Sequence, residues 1–253
     1  MSGAPTERFS NRVEEYRRHR PSYPPQIIDI LQAEGALEPS STVADIGAGT
    51  GLSTALFLPH AARVYGVEPN DAMRRQMQID LAAYPNLTVT AGSAEDTGLD
   101  DASVDLIVAA QAFHWFRIDE TRTEFRRILK PSGRVLLLWN ERDIAGDALQ
   151  REYEALLQTW ISNYRNLAHK SLNEATIGDF FSARPRRFSL PNRQTLTLEA
   201  LKGRMLSSSY IPKPPSPIYD GLTAGVEQLF SRFQSDGVVT FVYKTNGWLG
   251  SIV

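Results

Sequence analysis

Val43-Ala-Asp-Ile-Gly-Ala-Gly-Thr-Gly51 sets three glycines, Gly47, Gly49 and Gly51, at alternate positions behind a short apolar run that carries Asp45. Glycine is required where a chain turns tightly from strand to helix and where a ligand comes close to the main chain. The helix start beyond such a turn offers unpaired N–H groups and the positive end of a dipole. A dinucleotide fingerprint would need a third glycine where Leu52 stands, and no Lys-Ser or Lys-Thr pair follows to make a phosphate loop. Alternate glycines with an acid two residues ahead suit a ligand with a charged amino-acid end better than a pyrophosphate. Asp45 would accept from its ammonium group, directly or through water.

Further acids and small residues fall at the ends of the next apolar runs. Glu68, in Val64-Tyr-Gly-Val-Glu-Pro-Asn70, follows the glycine turn at the distance from which a carboxylate reaches both hydroxyls of a ribose. Met73 comes soon enough after it to lie against an adenine face. In Thr90-Ala-Gly-Ser-Ala-Glu-Asp96, residues Ser93, Ala94 and Glu95 can present an N–H and a carboxylate to an adenine edge.

The elements that must hold these residues alternate regularly. Short β-branched runs at 42–46, 63–67, 87–90, 104–109 and 134–139 predict strands. Amphipathic stretches at 24–34, 52–57, 71–84 and 121–129 predict helices. Strands interleaved with helices imply a mainly parallel α/β sheet covered on both faces. A charged stretch, 7–20, could form a further helix at the start. After Trp139 the rhythm weakens: helices are predicted at 147–165, 198–206 and 222–233, and strands at 186–190 and 238–243.

Composition excludes several classes. Lys+Arg 27 against Asp+Glu 29 gives a net charge of −2, which argues against a protein held to nucleic acid by phosphate electrostatics. With no cysteine there are no thiolate nucleophiles, cysteine zinc sites or disulfides. His19, His60, His114 and His169 form no helical metal-binding pair, and there is no Gly-x-Ser-x-Gly elbow. No apolar run has the ~20 residues of a membrane span, and the polar N-terminus lacks a signal-peptide core. The expectation is a soluble cytoplasmic protein.

Taken together, the glycine turn, Glu68 and the Ser93–Glu95 stretch resemble the class I S-adenosylmethionine-dependent methyltransferases. The resemblance implies a Rossmann-like, doubly wound, seven-stranded sheet with its last strand antiparallel. It implies S-adenosylmethionine as cofactor and S-adenosylhomocysteine as product. It assigns Asp45, Gly47, Gly49 and Gly51 to the methionine end, Glu68 to the ribose, and Ser93, Ala94 and Glu95 to the adenine side, with Ala48, Pro69 and Met73 also expected to bind the cofactor. Tyr16-Arg-Arg-His-Arg-Pro-Ser-Tyr-Pro24 is similar to the start of small-molecule enzymes of the trans-aconitate methyltransferase kind. That similarity implies that Tyr16 covers the site and that Arg20 pairs with the cofactor carboxylate.

Gln111, His114 and Trp115 follow the fourth strand, where an open α/β sheet binds its ligands. They are expected near the reacting methyl, with His114 as the general base if the acceptor arrives protonated. The Asn/Asp-Pro-Pro-Tyr/Phe run of amino-directed enzymes is missing at this point. That absence counts against nucleic-acid base methylation. The chain is read as one domain, 1–253, with cofactor-covering helices in 1–34 and a helical lid in 147–182. In that lid Trp160, Tyr164 and Phe180 either line an acceptor pocket or form a core of their own. The expected partner is a small-molecule acceptor methylated on oxygen. A protein or nucleic-acid methyltransferase and a silent cofactor-binding module are the alternatives. Arg184, Arg186 and Arg187 are expected on a solvated strand edge.

Overall fold

Residues 13–162, 164 and 174–253 are described in the computed structural model. The parts of the expected 7–20 and 147–165 helices that fall at 7–12, 163 and 165 lie outside them, as does His169.

The apolar runs form the strands expected of them. β1 (Thr42–Ile46), β2 (Arg63–Val67), β3 (Leu87–Thr90), β4 (Val104–Ala110) and β5 (Leu129–Arg142) pair in parallel, in the order β3-β2-β1-β4-β5. β4 is almost wholly buried, as a central parallel strand covered on both faces must be. The strand order reverses between β1 and β4. In open α/β sheets that reversal opens a crevice beyond the carboxyl ends of the strands.

β6 (Arg186–Leu196) and β7 (Val239–Gly250) complete a seven-stranded sheet. β7 runs antiparallel between β5 and β6. Both are about twice the length that the sequence suggests. β6 continues past the expected 186–190 through Pro191, because it is the edge strand, where a missing N–H costs no ladder bond. β7 continues past the expected 238–243 through Thr245-Asn246-Gly247. A Cβ on Gly247 would sit 2.1 Å from the Phe188 ring of the neighbouring strand, so the glycine makes room for cross-strand packing.

Helices α1 (Val13–His19), α2 (Gln26–Ala33), α3 (Thr54–Phe57), α4 (Asp71–Asp80) and α5 (Ile118–Ile128) surround the parallel half. α4 starts where the Asn70 side chain accepts from the Met73 N–H, and it buries Met73 and Met77, one turn apart. It ends at Asp80, short of the predicted Tyr84.

α6 (Ala148–Trp160), α8 (Leu198–Leu206) and α9 (Pro217–Phe233) build a separate core with the first half of β7, around Tyr153, Leu157, Leu201, Leu222 and Phe241. This helical layer thus draws on the connections on both sides of β6, beyond the expected 147–182. Tyr164 belongs to its core, and Trp160 is partly exposed against Gly221. Phe180, at the end of α7 (Glu174–Phe180), instead packs edge-on against Phe113 and Phe125 in the core of the main sheet. None of the three lines the cavities described below. Arg186 pairs with Glu34, and Arg187 lies over the Trp248 ring. No helix among the described residues is long and apolar enough to cross a membrane.

One polar cluster makes the fold pH-sensitive. Burial alone would raise the Glu124 carboxyl, but hydrogen bonds from Arg127 and from the Thr97 hydroxyl and N–H outweigh it and hold the group at about 2. A folded-state value below the unfolded one stabilises the fold above about pH 4.5, and that stability is lost as pH falls toward 2. Glu124→Gln should therefore lower the melting temperature clearly at pH 6, with the gap to wild type closing near pH 2. Thermal scans across that range check it, and a gap that does not narrow would contradict it.

Candidate active site

The loops after β1, β2, β3 and β4 meet over the strand-order reversal. Gly47, Gly49 and Gly51 all have positive φ (71°, 59° and 86°), yet they serve different ends. A Cβ on Gly47 would lie 2.6 Å from that of Ala112, so this glycine lets the loop after β4 close against the turn. A Cβ on Gly51 would strike Met77 and Leu81 at 2.7 Å, so it lets α4 pack beneath. A Cβ on Gly49 would meet nothing within 4 Å and would project into open space.

Glu68 ties two turns together. Its Oε2 accepts from the Gly49 N–H at 2.9 Å and its Oε1 from the Asn70 N–H at 2.8 Å. Burial pushes this carboxyl up, and the two amides oppose that rise. Each oxygen keeps a lone pair for a further donor. Glu95 makes a similar link: its Oε1 accepts from the Arg117 N–H at 2.9 Å, joining the loop after β3 to the start of α5. The Ser93 hydroxyl accepts from the Glu95 and Asp96 N–H groups.

Around these residues lies a cavity of about 400 Å³. Gly47, Gly49, Glu68, Pro69 and Met73 line one side, and Ser93, Ala94 and Glu95 the floor beyond β3. Gln111 and Trp115 come from the loop after β4, and Tyr16 reaches in from α1. Asn70, Ala110, Ala112, Phe116 and Arg117 also line it and were not singled out from sequence. Asn70 carried a signal as the cap of α4; the rest take their places from the loop geometry alone. A smaller space shares the walls Tyr16, Gly47, Ala110 and Gln111 and adds Ala48 and Arg20.

Gln111 is held in the left-handed region, φ 57°, which is uncommon for a side-chain-bearing residue and marks a position fixed by its surroundings. Its Nε2 donates to the Asn140 carbonyl at 3.1 Å, while its Oε1, in the cavity wall, has no hydrogen-bond partner among the described residues.

Three expected residues lie elsewhere. Asp45 lines neither space. It is fully buried, and its Oδ2 accepts from the Ser53 and Thr54 hydroxyls at 2.7 Å each, anchoring the start of α3. Burial raises its carboxyl to about 6 against those two bonds, and its Oδ1 has no hydrogen-bond partner among the described residues. Gly51 serves the packing of α4. His114 lines neither space either: its ring packs edge-on to Trp139 at 5.0 Å and beside Trp115 at 4.7 Å. The tight turn Phe113–Trp115 projects Trp115 into the cavity and leaves its neighbour on the aromatic cluster. Among the described residues no cluster of acids and histidines could hold a metal ion.

Comparison with known proteins places this architecture. Residues 44–137 match the model of a methyltransferase domain family. A methyltransferase-like protein of Schizosaccharomyces pombe, itself uncharacterised, is 30% identical over 245 residues, covering 94% of this chain and 92% of the relative. An uncharacterised methyltransferase of Mycobacterium bovis is 40% identical over 135 residues, covering 53% of each chain. Among solved structures, a candidate type II methyltransferase from Anaeromyxobacter dehalogenans shares the fold, with a TM-score of 0.64 at 22% identity over 92% of this chain and 98% of that one. The likeness to the yeast protein runs nearly end to end, the family match at 44–137 spans the glycine turn and the loops after β1 to β4, and on these the chain belongs to the class I S-adenosylmethionine-dependent methyltransferases.

Proposed function

We propose that the protein methylates a small-molecule acceptor on oxygen, and that the acceptor oxygen is a carboxylate. The observation that carries this reading is the wall of the cavity: Tyr16 of α1 stands in the same lining as Gly49, Glu68 and Trp115. A site roofed by the chain's own N-terminal helix suits a small acceptor better than a folded protein or a duplex. The finer kinship with trans-aconitate methyltransferases belongs to the same reading, since the 16–24 segment brings Tyr16 and Arg20 to the site.

The cavity's chemistry fits the cofactor. Open space over Gly49, the unpartnered Gln111 oxygen and the small or thioether side chains of Ala94 and Met73 suit a nucleoside with a polar amino-acid tail. When bound, S-adenosylmethionine supplies a methyl on a positively charged sulfur, open to in-line displacement. In this reading Glu68 holds the ribose hydroxyls through its remaining lone pairs. Met73 and Ala94 flank the adenine, and Ser93 and Glu95 face its edge. Arg20 binds the carboxylate of the methionine end, and Tyr16 excludes water above it.

Carboxylate rather than hydroxyl follows from the bases at hand. Both glutamates in the lining already accept from backbone amides, and His114 lies outside it. An acceptor that arrives ionised needs no base.

Incubation with methyl-labelled cofactor and a panel of short carboxylic acids, alcohols, phenols, amines, RNA and protein tests this. Label is expected in base-labile esters of small acids, at a rate nearly flat from about pH 6 to about pH 9, because carboxylic acids are ionised throughout. Label on amines or on macromolecules would contradict the reading.

A further inference from the structure

α1 ends at His19 and α2 begins at Gln26. The connection between them, Arg20-Pro21-Ser22-Tyr23-Pro24-Pro25, forms neither helix nor strand, and its prolines offer no N–H for backbone pairing. Its carbonyls still need donors where they are withdrawn from water. Carboxamide side chains of the sheet supply them. Gln194 Nε2 donates to the His19 carbonyl at 2.8 Å, just ahead of the connection. Asn192 Nδ2 donates to the Ser22 carbonyl at 2.7 Å, and Asn140 Nδ2 to the same carbonyl at 3.2 Å.

These donors are aimed by partners of their own. Asn192 and Gln194 stand two apart on β6, so their side chains leave the same face. Asn140 of β5 lies opposite Thr245 of β7 in the sheet register. The Thr245 hydroxyl and Asn192 Nδ2 both donate to Asn140 Oδ1, which leaves Asn140 Nδ2 turned toward the connection. The Tyr243 hydroxyl donates to Gln194 Oε1 and turns Gln194 Nε2 the same way. Asn140 and Thr245 are buried, so the arrangement is shielded from competing water.

Arg20 lies between the two gripped carbonyls. Its guanidinium sits over the Tyr16 ring at 5.0 Å, and its Nη2 donates to the Ser207 carbonyl at 3.0 Å. Arg20 stands in the wall of the smaller space, and its buried Nε has no hydrogen-bond partner among the described residues. Asn192 lines neither space, so it can reach a ligand only through the residues it holds.

We propose that Asn192 is a positioning residue for the methyl donor: with Asn140 and Gln194 it clamps the connection after α1 so that Arg20 meets the carboxylate of the donor's methionine end. A guanidinium fork that is already in place binds a carboxylate without a further ordering cost. This rests on the role given to Arg20 in the proposed function, and the experiment separates the two.

Calorimetry of the full chain with S-adenosylhomocysteine, and with methylthioadenosine as the same nucleoside without the amino-acid tail, provides the readout. Asn192→Asp keeps the shape of the side chain and loses the donor. It should weaken S-adenosylhomocysteine about tenfold and methylthioadenosine by less than about three-fold. In an Arg20→Gln background the same change should cost S-adenosylhomocysteine less than about three-fold, because the group it acts through is gone. Asn192→Ala, which loses the donor without adding a charge, should repeat the pattern, and it decides if Asn192→Asp folds poorly. An equal loss for both ligands would mark a merely structural residue and overturn the inference. Unchanged affinity in both Asn192 variants, or an undiminished loss in the Arg20→Gln background, would overturn it as well. Weakened S-adenosylhomocysteine in Arg20→Gln with no effect of Asn192 sinks the inference and leaves the role of Arg20 standing. Wild-type affinity in Arg20→Gln sinks both.

Discussion

Glu68→Ala is expected to weaken S-adenosylmethionine binding at least about 100-fold and to cost the unliganded protein roughly 2–4 kcal/mol. The carboxylate accepts from two backbone amides, Gly49 and Asn70, in a buried setting. Hydrogen bonds to a charged group are worth about 1.5–3 kcal/mol each, and the amides would be left without partners. In the proposed binding mode two further charge-assisted bonds to the ribose are lost as well, which removes roughly 3 kcal/mol of binding, about two decades in affinity. Glu68→Gln should fall between, because an amide oxygen can serve one of the two N–H groups while its NH2 faces the other. Calorimetry and chemical unfolding of both variants provide the check. Wild-type affinity in Glu68→Ala would remove this residue from the cofactor site.

Gly47→Ala should destabilise the fold by roughly 2–4 kcal/mol, a fall in melting temperature of about 5–15 °C for a chain of this size. Two costs combine. A left-handed backbone disfavours a side chain by about 1–2 kcal/mol. The new methyl would also lie 2.6 Å from the Ala112 Cβ, an atom with no rotamer to yield, and overpacking of this kind costs about 1–3 kcal/mol. The double change Gly47→Ala, Ala112→Gly should lose less than the sum of the single changes by roughly 1 kcal/mol, which isolates the contact. Strict additivity would show that Ala112 is not the obstacle. Because Ala112 neighbours Gln111, the single variant should also weaken the cofactor.

The parallel half of the sheet was legible because each of its strands is a short apolar run flanked by turn residues, and burial on both faces demands that pattern. β6 and β7 were under-read for a local reason. Pro191 and Thr245-Asn246-Gly247 carry turn chemistry, but edge position excuses the proline, and the Phe188 ring occupies the space that a Gly247 side chain would fill. The helical layer was half legible. α6, α8 and α9 could be placed from periodicity, but nothing local says that they pack on one another rather than over the sheet.

The site divides along the same line. Residues at the carboxyl ends of β1, β2 and β3 could be named because strand ends announce themselves. Asp45 and His114 show where local reading stops. A buried acid at a strand end also serves to hold Ser53 and Thr54 at a helix start, and in a run of aromatics the direction of each ring depends on a tight turn that composition does not reveal. Arg204, which lines the smaller space with Arg20, could not be found from sequence at all, since the two meet at Ser207 only through the packing of α8 on the N-terminal segment.

A crystal structure grown with S-adenosylhomocysteine tests the central assignment most directly. The nucleoside is expected in the cavity above Gly49, its sugar hydroxyls within about 3 Å of the Glu68 carboxylate and its adenine between Met73 and Ala94. Nucleoside density anywhere else, or a sugar turned away from Glu68, would contradict it.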